Sequence, residues 1–176
     1  MGGRAIIGAA RERPEGLAQS LGMSVECRQQ EFINAPLETV WELAADPDRQ
    51  IEWWPNTLVF ECIDGDFEQG CRVRNVQERP WPMSNLETTL ELETLNPGRE
   101  LTLRCMDTGT YTRAVLTEGQ GGTFVEMEAG NDPASLGNRL LMAAAGRRLF
   151  RRWVEHALEK LRRAAEADAG EGAAPS

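Results

Sequence analysis

Apolar and polar positions change rhythm several times along this chain, and each change predicts an element. Ser24 to Ile33 reads as a strand closed by Asn34-Ala35-Pro36. Asn34 suits a helix N-cap and Pro36 a first helical turn, so a helix is expected through Leu37 to Ala44, with Val40, Trp41 and Ala44 on one face. Asp46-Pro47 ends it, and a second short helix, Arg49 to Trp54, stops at Pro55. From Thr57 to Ala129 the period becomes two. Leu58, Phe60 and Cys62 alternate with Val59, Glu61 and Ile63, and a strand from Cys71 to Gln77 follows. Leu86, Leu90 and Leu92 then alternate with Glu87, Thr89, Glu91 and Glu93. Asn96-Pro97-Gly98 is a turn, since proline presets one dihedral and glycine supplies the positive one. Strands through Leu101 to Cys105, Tyr111 to Thr117 and Val125 to Met127 complete an antiparallel meander. A long helix follows, from about Pro133 to Ala167, with a wide apolar face through Leu149, Phe150, Trp153, Val154, Ala157, Leu158 and Leu161. Gly146 marks a bend or break within it.

One strand, two short helices, six strands and a long helix exclude a βαβ architecture. The order predicts an α+β fold: a seven-stranded curved antiparallel sheet wrapped around the long C-terminal helix, with two short helices between strands 1 and 2.

Composition narrows the function. The 176 residues suffice for one core, and 19 basic against 28 acidic residues leave a net charge of −9. That balance argues against a nucleic-acid binder, which needs a basic surface to displace counterions. No apolar run approaches the roughly 20 residues that span a bilayer, so stable membrane insertion is not expected. Residues 1–22 read as a weakly ordered extension with a short helix at Leu17 to Leu21, residues 23–167 as the folded domain, and residues 168–176 as a disordered tail. The first ten residues lack a secretory apolar segment, and Ile6 stands where a myristoylation signal wants Ser or Thr. A cytoplasmic location is expected.

Cys27, Cys62, Cys71 and Cys105 form no C-x-x-C pair, and the only histidine is His156. Metal ligands are therefore not expected; buried thiols on strands of a reduced protein are. No nucleotide-binding loop and no G-x-S-x-G elbow occurs, so no cofactor is expected.

The stretch Phe32-Ile-Asn-Ala-Pro-Leu-Glu-Thr-Val-Trp41, followed by Ala45-Asp-Pro-Asp and Glu52-Trp-Trp-Pro55, resembles the opening of START-like helix-grip proteins. More narrowly it is similar to the polyketide cyclase/dehydrase and lipid-transport group of the SRPBCC superfamily, over roughly residues 24 to 165. The resemblance implies a deep, mostly apolar cavity between sheet and helix for a lipid, a polyketide or another hydrophobic molecule. Aromatic cyclases of the group carry an arginine on a middle strand. The corresponding strand here, Met83 to Leu95, has none, and its inward face reads Leu86, Thr88, Leu90 and Leu92.

Three residues are candidates for acid–base catalysis. Glu31 shares a strand face with Cys27, Gln29 and Ile33; inward it would be a carboxylate in a dry cavity, and in the other register it would lie in solvent. Tyr111 shares a face with Arg113 and Val115, either orienting a ligand carbonyl or lying at a sheet edge. His156, three residues from Trp153, looks into the cavity or sits at its boundary. Trp53, Phe60, Leu90 and Trp153 are expected as apolar ligand-binding walls, Asn75 and Tyr111 as polar anchors, and Trp41 as core.

Between Arg139 and Arg163 eight cations face only Glu155 and Glu159, a local balance of +6 that leaves −15 for the remainder. This face is either solvated or a docking surface for an acidic protein partner. The leading expectation is a protein that binds a hydrophobic small molecule; the alternative is a cofactor-independent cyclase or dehydratase.

Overall fold

The computed structural model describes residues 24–131 and 136–172, with side chains from 27 to 131 and from 148 to 171. The expected N-terminal extension with its short helix, and the last four residues of the expected tail, lie outside that range. Strand β1 (Ser24–Ile33) leads into α1 (Leu37–Ala45), a 3-10 turn (Pro47–Arg49) and α2 (Gln50–Trp53). Six strands follow: β2 (Thr57–Cys62), β3 (Arg72–Gln77), β4 (Leu86–Asn96), β5 (Glu100–Cys105), β6 (Thr110–Gly119) and β7 (Gly122–Asn131). Helix α3 (Leu136–Gly172) ends the described chain. The sheet is wholly antiparallel in the order β1-β7-β6-β5-β4-β3-β2. Because β1 and β2 form opposite edges, the chain must cross the sheet between them, and α1 with α2 makes that crossing, passing β7 and β6.

The predicted α+β fold is the observed one, with local differences. Pro36, not Asn34, holds the N-cap position of α1, and no side chain caps it. The Asn34 backbone N–H instead donates to Glu166 Oε1 at 3.2 Å, tying the end of β1 to α3. Leu58 does not share the face of Phe60. A bulge sets Thr57 opposite Gln77 and Val59 opposite Val76, so Thr57 turns inward and Leu58 is exposed. Helix α3 runs unbroken through Gly146. It also continues to Gly172, making residues 168–172 helical where a tail was expected. Asp168 gives this last stretch a tertiary tie, an ion pair with Arg49 at 2.7 Å.

The core lies between the concave sheet face and the helices. Val154, Ala157, Leu161 and Ala165 of α3 are buried at helical spacing, as are Val40 and Leu43 of α1 and Ile33, Leu92, Val125 and Met127 of the sheet. Trp41, expected in the core, is only partly buried against it. Helix α3 packs principally on β1, β7, α1 and α2.

The convex face carries the strand charges. Arg28 pairs with Glu126 and Glu128, Arg113 with Glu128 and Glu100, Arg104 with Glu93, and Arg74 with Glu87 and Glu61. Successive residues of a strand point to opposite faces, so placing these charges outward places Val73, Asn75, Leu103, Ala114, Val125 and Met127 inward. Tyr111 also lies on the convex face, opposite Gly130 and Arg104 in register. It is nonetheless buried, because Gly130 has no side chain and the phenol ring lies over it. The Arg104 guanidinium sits 5.4 Å from the ring centroid.

These contacts make measurable demands on stability. A Cβ on residue 130 would stand 2.6 Å from the Tyr111 ring, so Gly130→Ala should destabilise the fold by about 1–3 kcal/mol. The cost should shrink in a Tyr111→Ala background; strict additivity of the two substitutions in urea unfolding would rule this packing out. Hydrogen bonding from Arg49, at 2.9 and 2.8 Å, holds the Glu52 carboxyl below its ordinary range. A depressed folded-state value stabilises the fold above the ordinary carboxylate range, and that contribution is lost as pH falls through the depressed value. Arg49→Met should therefore lower the melting temperature at pH 7 and lower it much less near pH 2, a difference that melting curves at both pH values measure.

Candidate functional site

The inner face of β2–β4 meets α2 and α3 in a group of aromatic rings. Pro55 forces the chain out of α2 directly after Trp54, whose extended backbone turns its indole towards β2. The Trp54 ring is 5.4 Å from Trp53, 5.8 Å from Phe60 and 5.1 Å from Trp153 of α3, centroid to centroid. Phe67, from the β2–β3 loop, packs edge-on to Phe60 at 6.2 Å. The adjacent tryptophans differ in role. Trp53 Nε1 donates to the Leu43 carbonyl at 3.1 Å and so fastens α2 to α1, whereas the buried Trp54 Nε1 has no hydrogen-bond partner.

Two further buried polar side chains lie on the same inner face. Asn75 lies opposite Phe60 on β2 and opposite Thr88 on β4, and is 3% exposed. Its Nδ2 donates to Thr88 Oγ1 at 3.3 Å while its Oδ1 is buried and unpartnered. Thr57, brought inward by the bulge, likewise has an unpartnered buried hydroxyl. Buried polar atoms are nearly always paired, with protein, water or ligand. Trp54, Asn75 and Thr57 carry three unpartnered atoms near one aromatic group, and Gln50 Oε1 on α2 is another.

Of the residues proposed from sequence, Phe60, Asn75 and Trp153 belong to this group. Leu90 is buried on the same sheet face, between Val73 and Cys105. Trp53 touches the group but serves as a structural tie. Thr88 lies on the inner face, as its strand's alternation predicts, and acts there through Asn75. Periodicity does not single out Trp54, Thr57 or Phe67 as site residues, although Trp54 stands in the Glu52-Trp-Trp-Pro55 motif: α2 spans a single turn, the bulge at Leu58 interrupts the alternation that would have revealed Thr57, and Phe67 comes from a loop.

The three acid–base candidates are not brought together. Glu31 does lie on the inner sheet face, opposite Val125, but β1 is an edge strand. Its side chain is 42% exposed and pairs with Arg162 of α3 at 3.6 Å, rather than lying in a dry interior. Tyr111 is neither inside nor at an edge; it occupies the convex face of a central strand. Burial, with the Glu128 carboxylate beside it, raises its phenol above the ordinary range. His156 is exposed, because the buried stripe of α3 passes through Val154 and Ala157.

Within the basic segment, Arg151 pairs with Glu155, Arg163 with Glu159, and Arg162 with Glu159 and Glu166. Much of the described charge is thus neutralised along the helix itself; the side chains of Arg139 and Arg147 lie outside the described residues. Among the described residues no group of three or more His, Cys, Asp or Glu is placed to hold a metal ion, and no helix is long and apolar enough to cross a membrane. All four cysteines are unbridged thiols.

Residues 24–166 match the family model described as polyketide cyclase/dehydrase and lipid transport. The chain belongs to that family. Solved structures agree on the fold at low identity. A Thermus thermophilus protein shares 18% identity with a TM-score of 0.63, over 81% of this chain and 97% of its own. A Staphylococcus aureus protein of unknown function shares 11% with a TM-score of 0.65, over 82% and 94%. A Nitrosomonas europaea protein shares 12% with a TM-score of 0.60, over 81% and 94%. No curated protein matches the chain. Membership in this family is consistent with binding a hydrophobic ligand; it specifies neither ligand nor reaction.

Proposed function

We propose that this member of the family binds a lipid-like or polyketide-like small molecule against the inner sheet face, beside Trp54, Phe60 and Trp153. The observation carrying the reading is the aromatic group itself, set at the junction of α2, α3 and β2 with unpartnered polar atoms at its border. Apolar walls supply affinity, and a few fixed polar groups supply orientation. We favour binding over turnover because Glu31, Tyr111 and His156, the side chains suited to proton transfer, lie on three different surfaces. Acid–base catalysis needs its groups within hydrogen-bond reach of one reacting centre.

The neutral dye N-phenyl-1-naphthylamine, which brightens in apolar surroundings, tests this reading. Titration should give saturable enhancement near one dye per chain. Trp54→Ala or Phe60→Ala should weaken binding by about tenfold or more, as expected for removing a large buried apolar contact. Glu31→Gln, Tyr111→Phe and His156→Gln should leave it unchanged. Enhancement that never saturates, or that is indifferent to Trp54→Ala, would refute the assignment.

A further inference from the structure

Resting on that reading, the geometry points to the ligand's polar group as a hydroxyl, an alcohol or phenol, held between Trp54 Nε1 and Asn75 Oδ1 with Thr57 beside it. Both side chains and Thr57 are more than nine-tenths buried, at 4%, 3% and 8% exposed, and none has a partner for the atom concerned. Trp54 and Asn75 flank the same ring, Phe60: one through ring contact, the other as its cross-strand neighbour. Thr57 joins them on that face through the bulge.

The atoms differ in kind. An indole N–H only donates, and an amide oxygen only accepts. Asn75 Nδ2 donates to Thr88 Oγ1 at 3.3 Å, and Thr88 Oγ1 lies 3.5 Å from the backbone carbonyl of Asn75, an arrangement that turns the NH2 of the amide towards Thr88. The oxygen of the amide is left facing away from Thr88. One ligand group satisfies both sides: a hydroxyl accepts from Trp54 and donates to Asn75. A ketone, ether or carboxylate can only accept, so it would leave the Asn75 oxygen buried without a donor. The strand arginines that would answer a carboxylate (Arg28, Arg72, Arg74, Arg104 and Arg113) are all engaged on the opposite face of the sheet.

Three probes with one aromatic body separate these cases: 2-naphthol, 2-methoxynaphthalene and 2-naphthoate, titrated calorimetrically into the full chain. The expected order places 2-naphthol about tenfold tighter than 2-methoxynaphthalene, the size of one buried hydrogen bond, with 2-naphthoate weakest. Asn75→Leu should bring the naphthol-to-methoxynaphthalene ratio to within about twofold of unity. Trp54→Phe, which keeps a ring and removes the donor, should weaken both ligands together and preserve the ratio. It tests the pair even if Asn75→Leu does not fold. A ratio near one in the unmodified protein, a ratio that survives Asn75→Leu, a ratio altered by Trp54→Phe, or preference for 2-naphthoate overturns the hydroxyl assignment. If all three naphthalenes fail while N-phenyl-1-naphthylamine binds, the hydroxyl subsite falls and the apolar site stands. If the dye fails as well, the underlying reading falls with it.

Discussion

Helix α3 is held to one side of the sheet, and the remaining architecture depends on that contact. Its buried stripe, Val154, Ala157, Leu161 and Ala165, closes on β1, β7, α1 and α2 rather than lying along the middle of the meander. Polar ties reinforce the same side: the Asn34 N–H to Glu166, Glu31 to Arg162, and Arg49 to Asp168. Such partly exposed ion pairs contribute little individually. They lie on the side of the helix where Trp153 meets Trp54 with centroids 5.1 Å apart. The aromatic group exists because a helix anchored at one edge of the sheet meets α2 on its way past.

The division of charge between the sheet faces is the complementary constraint. A strand that must bury alternate residues and also carry arginines has one arrangement open to it: cations outward, each beside a carboxylate of a neighbouring strand. Arg28, Glu128, Arg113 and Glu100 form such a row across β1, β7, β6 and β5. Glu128 is almost fully buried and has two arginines as company, which answers its desolvation. Keeping this charge on the convex side leaves the inner face to neutral side chains through the middle of the sheet. It is this separation that makes an unpartnered amide oxygen or indole N–H beside Phe60 chemically selective.

Much of the fold was legible because alternation is a local signal. The parity of Tyr111 with Arg113, of Asn75 with Val73 and of Glu31 with Ile33 follows from counting by two, and each pair does share a face. What parity cannot give is the environment of that face. Glu31 lies inward yet partly in solvent because β1 is an edge strand, a property of strand order and not of the segment. Tyr111 is buried on the convex side because register sets Gly130 opposite it, a partner distant in sequence. Thr57 was hidden by one inserted residue, since a bulge reverses the faces of everything before it. The helical state of residues 168–172 rests in part on Arg49, again a contact no local pattern announces.

Trp53 and Trp54 condense the difference between structural and functional burial. Adjacent, chemically identical and both nearly inaccessible, they are indistinguishable by composition or burial alone. Hydrogen-bond accounting separates them: the Trp53 indole is satisfied by the Leu43 carbonyl, and that of Trp54 is not. A satisfied buried donor stabilises the fold and asks nothing of a ligand. A buried donor with no protein partner lowers the stability of the fold, and a water or a ligand that accepts from it restores that stability. Asn75 fits the same description beside a Thr88 that satisfies only half of its amide. On the proposed function, Trp54 and Asn75 are the residues whose pairing a bound molecule would complete.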